Sequence, residues 1–352
     1  MIQRGRFCLF ADTEPAYSAA TLDLVQRTTV IDMLGLLTLN YSKLSSWETQ
    51  PARFAPQDFE RLRASGITVF HPAVGFTGAD SYQCSLRDIN GWNEFIAAHP
   101  DQFVRVDCPS DLAACKTSGR LGIVIGQQNS LHFRTVSDVD CFYNLGQRVS
   151  QLTYDDNQLG GGSTDPRDVG LTAFGAEIVG RMNALGMAID VSHCSDRTTL
   201  DAINTSRKPV LVTHSNCRAI ADAPRCKTDD AIRLLASKGG VIGITMVRGF
   251  VQASGPATIE DVLDHIDHVV NLVGVEHAGI GSDVDLDGRD AHIHPKKRFD
   301  LDGIDYSRKI FDLTEGLVRR KYSAGDIQLI LGGNFQRALA AIWTPEPSPA
   351  TA

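Results

Sequence analysis

No apolar run in this sequence approaches the roughly 20 residues that a membrane-spanning helix needs. Its first 28 residues carry scattered charges and no apolar h-region, so neither a transmembrane segment nor a signal peptide is expected. Long basic runs are also missing. The densest is Lys-Lys-Arg at 296–298, read as a solvated loop, and the formal charge of −8 argues against a nucleic-acid groove. The eight cysteines are dispersed with no Cys-x-x-Cys pair, and they read as reduced thiols of a cytoplasmic protein, mostly serving as small buried hydrophobes. No Gly-x-Gly-x-x-Gly follows the first strand candidate, and there is no internal repeat. The one glycine-rich loop, 155–163, lacks the Gly-Lys-Ser/Thr ending of a phosphate cradle.

What is present is a sustained alternation of short apolar runs and amphipathic stretches. With 352 residues, 43% hydrophobic and 22% charged, the chain has room for two ordinary domains or for one α/β barrel with insertions. The pattern predicts a helix over 14–27, a strand over 28–33, a polar irregular loop over 37–55 at one barrel mouth, and a helix over 55–66 leading into a strand at 67–71. A helix at 86–98 and a minor strand at 103–106 follow, then buried strands at 121–126 and 149–154 and a strongly amphipathic helix at 171–186. Further strands are expected within 187–215, at 240–246 and at 277–283, with helices at 228–238, 258–273, 306–319 and 324–330. Such alternation implies parallel strands, and eight of them imply a closed (β/α)8 TIM barrel; an open doubly wound sheet is the competitor. The expected layout is a single domain over 1–342, its residues 1–28 a helical extension, with a disordered tail over 343–352.

The stretch 187–218 organises the rest. Two apolar runs each end in a polar residue and a histidine, His193 and His214, with one helix-length interval between them. Barrel enzymes place their chemistry at the C-terminal strand ends, where this sequence puts Asp32, His71, Gln127, Gln128, Tyr154, His193, His214 and Asp283. Two neutral imidazoles and a carboxylate suffice for one zinc-like ion with an open coordination position. The plainer alternative is a pair of core histidines capped by hydrogen bonds.

Several long segments, in order, carry a family likeness: Leu-Thr-Tyr-Asp-Asp-Asn-Gln-Leu-Gly-Gly-Gly (152–162), Asp-Pro-Arg-Asp-Val-Gly-Leu-Thr-Ala-Phe-Gly (165–175), the two histidine segments (182–196 and 209–220), Gly-Ile-Gly-Ser-Asp-Val-Asp-Leu-Asp-Gly (279–288) and Leu-Gly-Gly-Asn-Phe-Gln-Arg (331–337). From about 121 to 340 the chain resembles the membrane (renal) dipeptidase family. The resemblance implies a (β/α)8 barrel, commonly dimeric, with a two-zinc site that hydrolyses dipeptides. It assigns His193 and His214 to one metal, Asp283 to proton transfer beside the attacking water, Arg225 to the substrate carboxylate, and Tyr154 to the tetrahedral intermediate.

The same comparison exposes a departure. The family's first strand reads Val-Ile-Asp-Gly-His-x-Asp and binds the first zinc through its histidine and second aspartate; here Leu34 and Leu36 stand at those positions. Gln128 stands where the metal-bridging glutamate belongs, and a neutral amide is a poorer ligand for a dication than a carboxylate. The joint loss predicts that the second metal site is absent and that one Zn2+ or similar ion at most remains. The expected function is dipeptidase-like hydrolysis of a dipeptide or small amide, with Gln128 helping to bind it. Two alternatives stay open: a metal-free lyase or isomerase using the same acid and base groups, and a binding homologue without turnover. A homodimer is expected, with neither nucleic acid nor membrane as partner.

Overall fold

The apolar runs are buried on both faces, as strands must be in a parallel sheet covered by helices. The computed structural model describes residues 17–291 and 298–344. Ten strand segments form one sheet: β1 (Ile31–Asp32), β2 (Val69–Phe70), β3 (Phe103–Arg105), β4 (Leu121–Ile123), β5 (Gly126–Gln127), β6 (Val149–Gln151), β7 (Ala188–Asp190), β8 (Leu211–Ser215), β9 (Val241–Ile244) and β10 (Ala278–Ile280).

Their pairing closes a ring. From β2 the parallel ladder runs through β1, β10, β9, β8 and β7 to β6 and β5, and in the other direction from β2 to β4. β4 and β5 are two halves of one stretch, 121–127. At the break, Val124 N donates to Phe70 O (2.9 Å) on one side, while Arg148 N donates to Ile125 O (2.8 Å) on the other. Counted as one stave, β4 and β5 complete a barrel of eight parallel staves, with β3 as an additional strand outside β4. The minor strand expected at 103–106 is this outer one. Staves approach closely where side chains are absent: a Cβ on Gly281 would lie 1.8 Å from Thr213 O, and one on Gly243 2.1 Å from the same oxygen.

Several helices start at side-chain caps legible in the sequence. Thr172, Ser195 and Thr228 accept from the backbone N–H groups of Gly175, Thr198 and Ala231 at the heads of Ala173–Leu185, Asp196–Thr205 and Asp229–Ser237. Of the N-terminal extension, the described part is helix Ala19–Arg27. Ser18 and Thr21 donate to Glu315 Oε2 and fix it on helix Lys309–Arg319. The expected start of that helix at 14 lies outside the described residues, as do most of Lys-Lys-Arg 296–298 and residues 345–352 of the tail. Within the described end, Trp343 closes helix Asn334–Trp343 and is buried.

One expectation fails. The polar segment 37–55 is not an irregular loop but carries helix Tyr41–Thr49 and a 3₁₀ turn, Pro51–Arg53. Asn40 caps the helix on Lys43 N (3.0 Å), and Trp47 is buried against Phe54 (5.0 Å, edge-on) and Phe95 (6.3 Å). Tertiary burial of one indole supports a helix that its polar composition does not announce. Helices Pro109–Ser118 and Val136–Asn144 are additional to those expected, the first lacking a periodicity signal, and helix Ser81–Ala98 begins earlier than expected.

Candidate active site

Residues that follow the staves line a single cavity of about 550 Å³: Leu36–Leu39 after β1, Pro72–Phe76 after β2, Gln128 after β5, Tyr154 after β6, His193 after β7, Val247 and Phe250 after β9, and Asp283 and Arg289 after β10. Helices 41–49 and 81–98 contribute Tyr41, Leu44, Glu48, Asp88 and Trp92 to its wall. The lining is mostly apolar with a few polar groups, the usual make-up of a small-ligand site.

His193 lines the cavity, and the fully buried His214 meets it from behind, with their Nε2 atoms 3.1 Å apart. Tyr154 stacks over the His193 ring at 4.1 Å and 22°. Both imidazoles are held neutral: their pKa values lie well below the ordinary histidine range because of burial first, then the Arg225 guanidinium. Lys227 and Arg289 add to this for His193, and His193, His71 and Arg289 for His214. Tyr154 is pushed above the ordinary phenol value by burial and by the Asp283 carboxylate.

Asp283 sits in the left-handed backbone region (φ 58°), which an aspartate tolerates better than most residues. Its N–H donates to Leu34 O (3.0 Å), locking this turn to the one after β1. Arg289 forms an ion pair with its carboxylate and donates through Nε to its backbone oxygen (2.7 Å). Burial nevertheless keeps the Asp283 pKa raised, with Arg289 and Arg225 pulling against it.

Arg225 does not line the cavity. It is buried, its terminal nitrogens donate to Ser192 O and His214 O, and its Nε has no hydrogen-bond partner. The guanidinium thus braces the backbone on both histidine staves.

Gln128 lines the cavity and donates from Nε2 to Ala73 O (2.7 Å), while Gln127 turns away to Asp88 Oδ2 (2.7 Å). Asp32 lies in the core, bonded to Ser282 N (2.8 Å) and paired with the fully buried Lys309 at 3.7 Å. His71 is buried in the ring: Nδ1 donates to Met33 O (2.6 Å), and Nε2, which has no partner, occupies the space where Gly126 would carry a Cβ.

Two imidazole nitrogens about 3.4 Å apart would fit one tetrahedral ion at zinc–nitrogen bond lengths, and the pair here comes close to that at 3.1 Å. The other family positions do not fit: Leu34 is fully buried, Leu36 gives the cavity an alkyl group, and Gln128 an amide. Among the described residues no group of three or more His, Cys, Asp or Glu gathers to hold an ion.

The family model for membrane dipeptidase (peptidase family M19) matches residues 19–346. The chain belongs to the membrane dipeptidase family. It is therefore a metallopeptidase-type hydrolase by descent, and the eight-stave barrel is this family's scaffold. The relatives it resembles include Dipeptidase verJ of Clonostachys rogersoniana, 31% identical over 318 residues that cover 85% of this chain and 79% of that one. Dipeptidase 3 of Rattus norvegicus is 29% identical over 75% of this chain but only 53% of its own length, so the chain spans about half of that relative. Among solved structures, an amidohydrolase from Pseudomonas aeruginosa superposes with a TM-score of 0.80 at 28% identity, covering 92% of this chain and 99% of that one. Among the described residues no helix is long and apolar enough to cross a membrane.

Three charged cavity residues escape the sequence reading: Arg289, Glu48 and Asp88. Arg289 is six residues past Asp283 in a turn whose shape alone brings it back. Glu48 and Asp88 come from helices outside the strand–loop pattern, and only their packing points them inward. A Cβ on Gly91 would lie 3.2 Å from Glu48 Cβ, so the glycine leaves room for that side chain against helix 81–98.

Proposed function

We propose that this member of the family hydrolyses a dipeptide or similarly small amide with one divalent ion at most, held by His193 and His214. The observation that carries this is the 3.1 Å convergence of two neutral imidazoles, His193 on the wall of the cavity and His214 buried directly behind it. An ion bound there, Zn2+ or a similar metal, would supply Lewis acidity and a readily deprotonated water. Asp283, which lines the same cavity as His193 and is held by Arg289, is the group we assign to take and return the proton. Tyr154, stacked on His193, faces the reacting carbonyl. Arg289, which lines the cavity, supplies the positive charge that a substrate carboxylate needs, while Arg225 braces the two histidine staves behind it. Gln128 offers an amide to the substrate, and Leu36 with Phe250 and Phe299 favours an apolar side chain.

The seven described cysteines are free thiols, in keeping with a cytoplasmic location. A homodimer is the assembly the family's habit suggests, built from a single barrel domain. A second reading, a metal-free acid–base enzyme of the lyase or isomerase kind, is favoured by one observation: the two imidazole nitrogens lie within hydrogen-bond distance of each other, at 3.1 Å.

Metal analysis of the purified protein, followed by a dipeptide panel with and without chelator, tests the choice. One equivalent of metal and chelator-sensitive hydrolysis are expected, and His193→Ala should lose both. Unchanged metal in that variant would rule out the ligand assignment, and two equivalents in the wild type would overturn the single-ion reading.

A further inference from the structure

The histidine pair is backed by a buried hydrogen-bond relay that no relative's name or motif assigns. Asp190 ends β7, and its carboxylate accepts four bonds. Oδ1 takes Ser192 N (3.0 Å), Ser192 Oγ (2.6 Å) and Thr213 N (2.9 Å), and Oδ2 takes Thr213 Oγ1 (2.7 Å). Thr213 Oγ1 also lies 2.8 Å from His214 Nδ1, and Ser192 Oγ accepts from His214 N (3.0 Å). Asp190, Ser192, Thr213 and His214 are all buried, so no water competes for these contacts.

Counting protons fixes the directions. A carboxylate has none to give, and a threonine hydroxyl has one. If Thr213 spent its proton on His214, two oxygens would face each other at 2.7 Å in the interior with no hydrogen between them. The proton therefore goes to Asp190, and His214 Nδ1 must be the donor to Thr213 Oγ1. A neutral imidazole carries one N–H, so its Nε2 is left as a bare lone pair, 3.1 Å from His193 Nε2.

We propose that Asp190 and Thr213, assisted by Ser192, are positioning residues that hold His214 as its Nδ1–H tautomer and point the Nε2 lone pair at His193, the histidine that lines the cavity. In the metal-free protein that lone pair accepts from His193 Nε2–H; with an ion present it is the ligand. The ligand role rests on the function proposed above, but the tautomer does not. Partners of this kind typically set ring orientation and basicity and change metal affinity by about 10–100-fold when removed.

The test uses the whole chain labelled with ¹⁵N-histidine and stripped of metal. Long-range ¹H–¹⁵N correlation should show His214 protonated at Nδ1 and bare at Nε2; the opposite tautomer overturns the proposal. Thr213→Val should mix the tautomers and weaken zinc binding, measured by calorimetry, by about 10–100-fold, while Thr213→Ser, which keeps the hydroxyl, should restore both. A Thr213→Val protein that folds with the wild-type tautomer and affinity would also overturn it. If that variant does not fold, the wild-type and Thr213→Ser spectra still decide. A wild type that takes up no zinc yet shows the assigned tautomer would sink the metal-centre reading and leave the relay standing.

Discussion

At the scale of single residues, the site depends on charges kept in balance inside a poorly solvated cavity. Asp283 is the clearest case. Burial raises its pKa, and Arg289 is the foremost of the groups that restrain the rise. Removing that cation should lift the carboxyl further. If hydrolysis needs Asp283 ionised, Arg289→Met should move the acidic limb of the kcat/KM profile to higher pH; a limb that stays in place would remove Asp283 from proton transfer. Asp283→Asn, with no proton to exchange, should lower kcat by roughly 10²–10⁴-fold, and a smaller loss would show that another group does the work. His193, His214, Asp283 and Tyr154 are legible as residues because they end apolar runs. Arg225 is legible only as a charge after a proline, and its brace on Ser192 O and His214 O depends on how two staves and a loop pack.

At the scale of elements, helices 41–49 and 81–98 meet across the cavity wall through two carboxyl groups. Burial pushes Glu48 up to about 7, while burial and the neighbouring Glu48 push Asp88 up to about 8; an amide hydrogen bond from Gln127 opposes the shift on Asp88. The folded chain therefore holds these protons at a pH where the unfolded chain has released them. Their contribution to stability is complete below the ordinary carboxylate range and is lost as pH rises through about 7 to 8. Asp88→Asn should flatten the fall in Tm between pH 5 and 9 and leave the acid side little changed. Equal slopes in variant and wild type would mean the two carboxyls do not titrate in this way. The polar sequence of 37–55 hides this helix because its support comes from Trp47 against Phe54 and Phe95, contacts made with distant segments.

At the scale of the whole molecule, the closure of the barrel draws on its backbone ladder and packed interior. The staves close through backbone hydrogen bonds and an apolar interior, and Leu34, Leu36 and Gln128 stand on turns held by other contacts, such as Asp283 N on Leu34 O. Replacing all three together, Leu34→His, Leu36→Asp and Gln128→Glu, should let the protein take up a second equivalent of zinc with its fold intact. A folded triple variant that still binds one ion or none would mean the cavity has changed shape beyond those side chains.

The alternation of apolar runs with capped helices determined the staves and their parallel sense, because burial on both faces leaves a strand few other choices of residue, while closure over an open doubly wound sheet was decided by the pairing of the staves. It also determined which residues stand at the C-terminal ends, since a strand's last position is fixed once its apolar run is. Tertiary structure alone decided that the stave at 121–127 is broken in two and that Arg225 turns inward to carbonyls. It also brought Arg289, Glu48 and Asp88 to the cavity. Those outcomes depend on contacts between segments far apart in the chain, and no local pattern of hydrophobicity or spacing encodes where two such segments will touch.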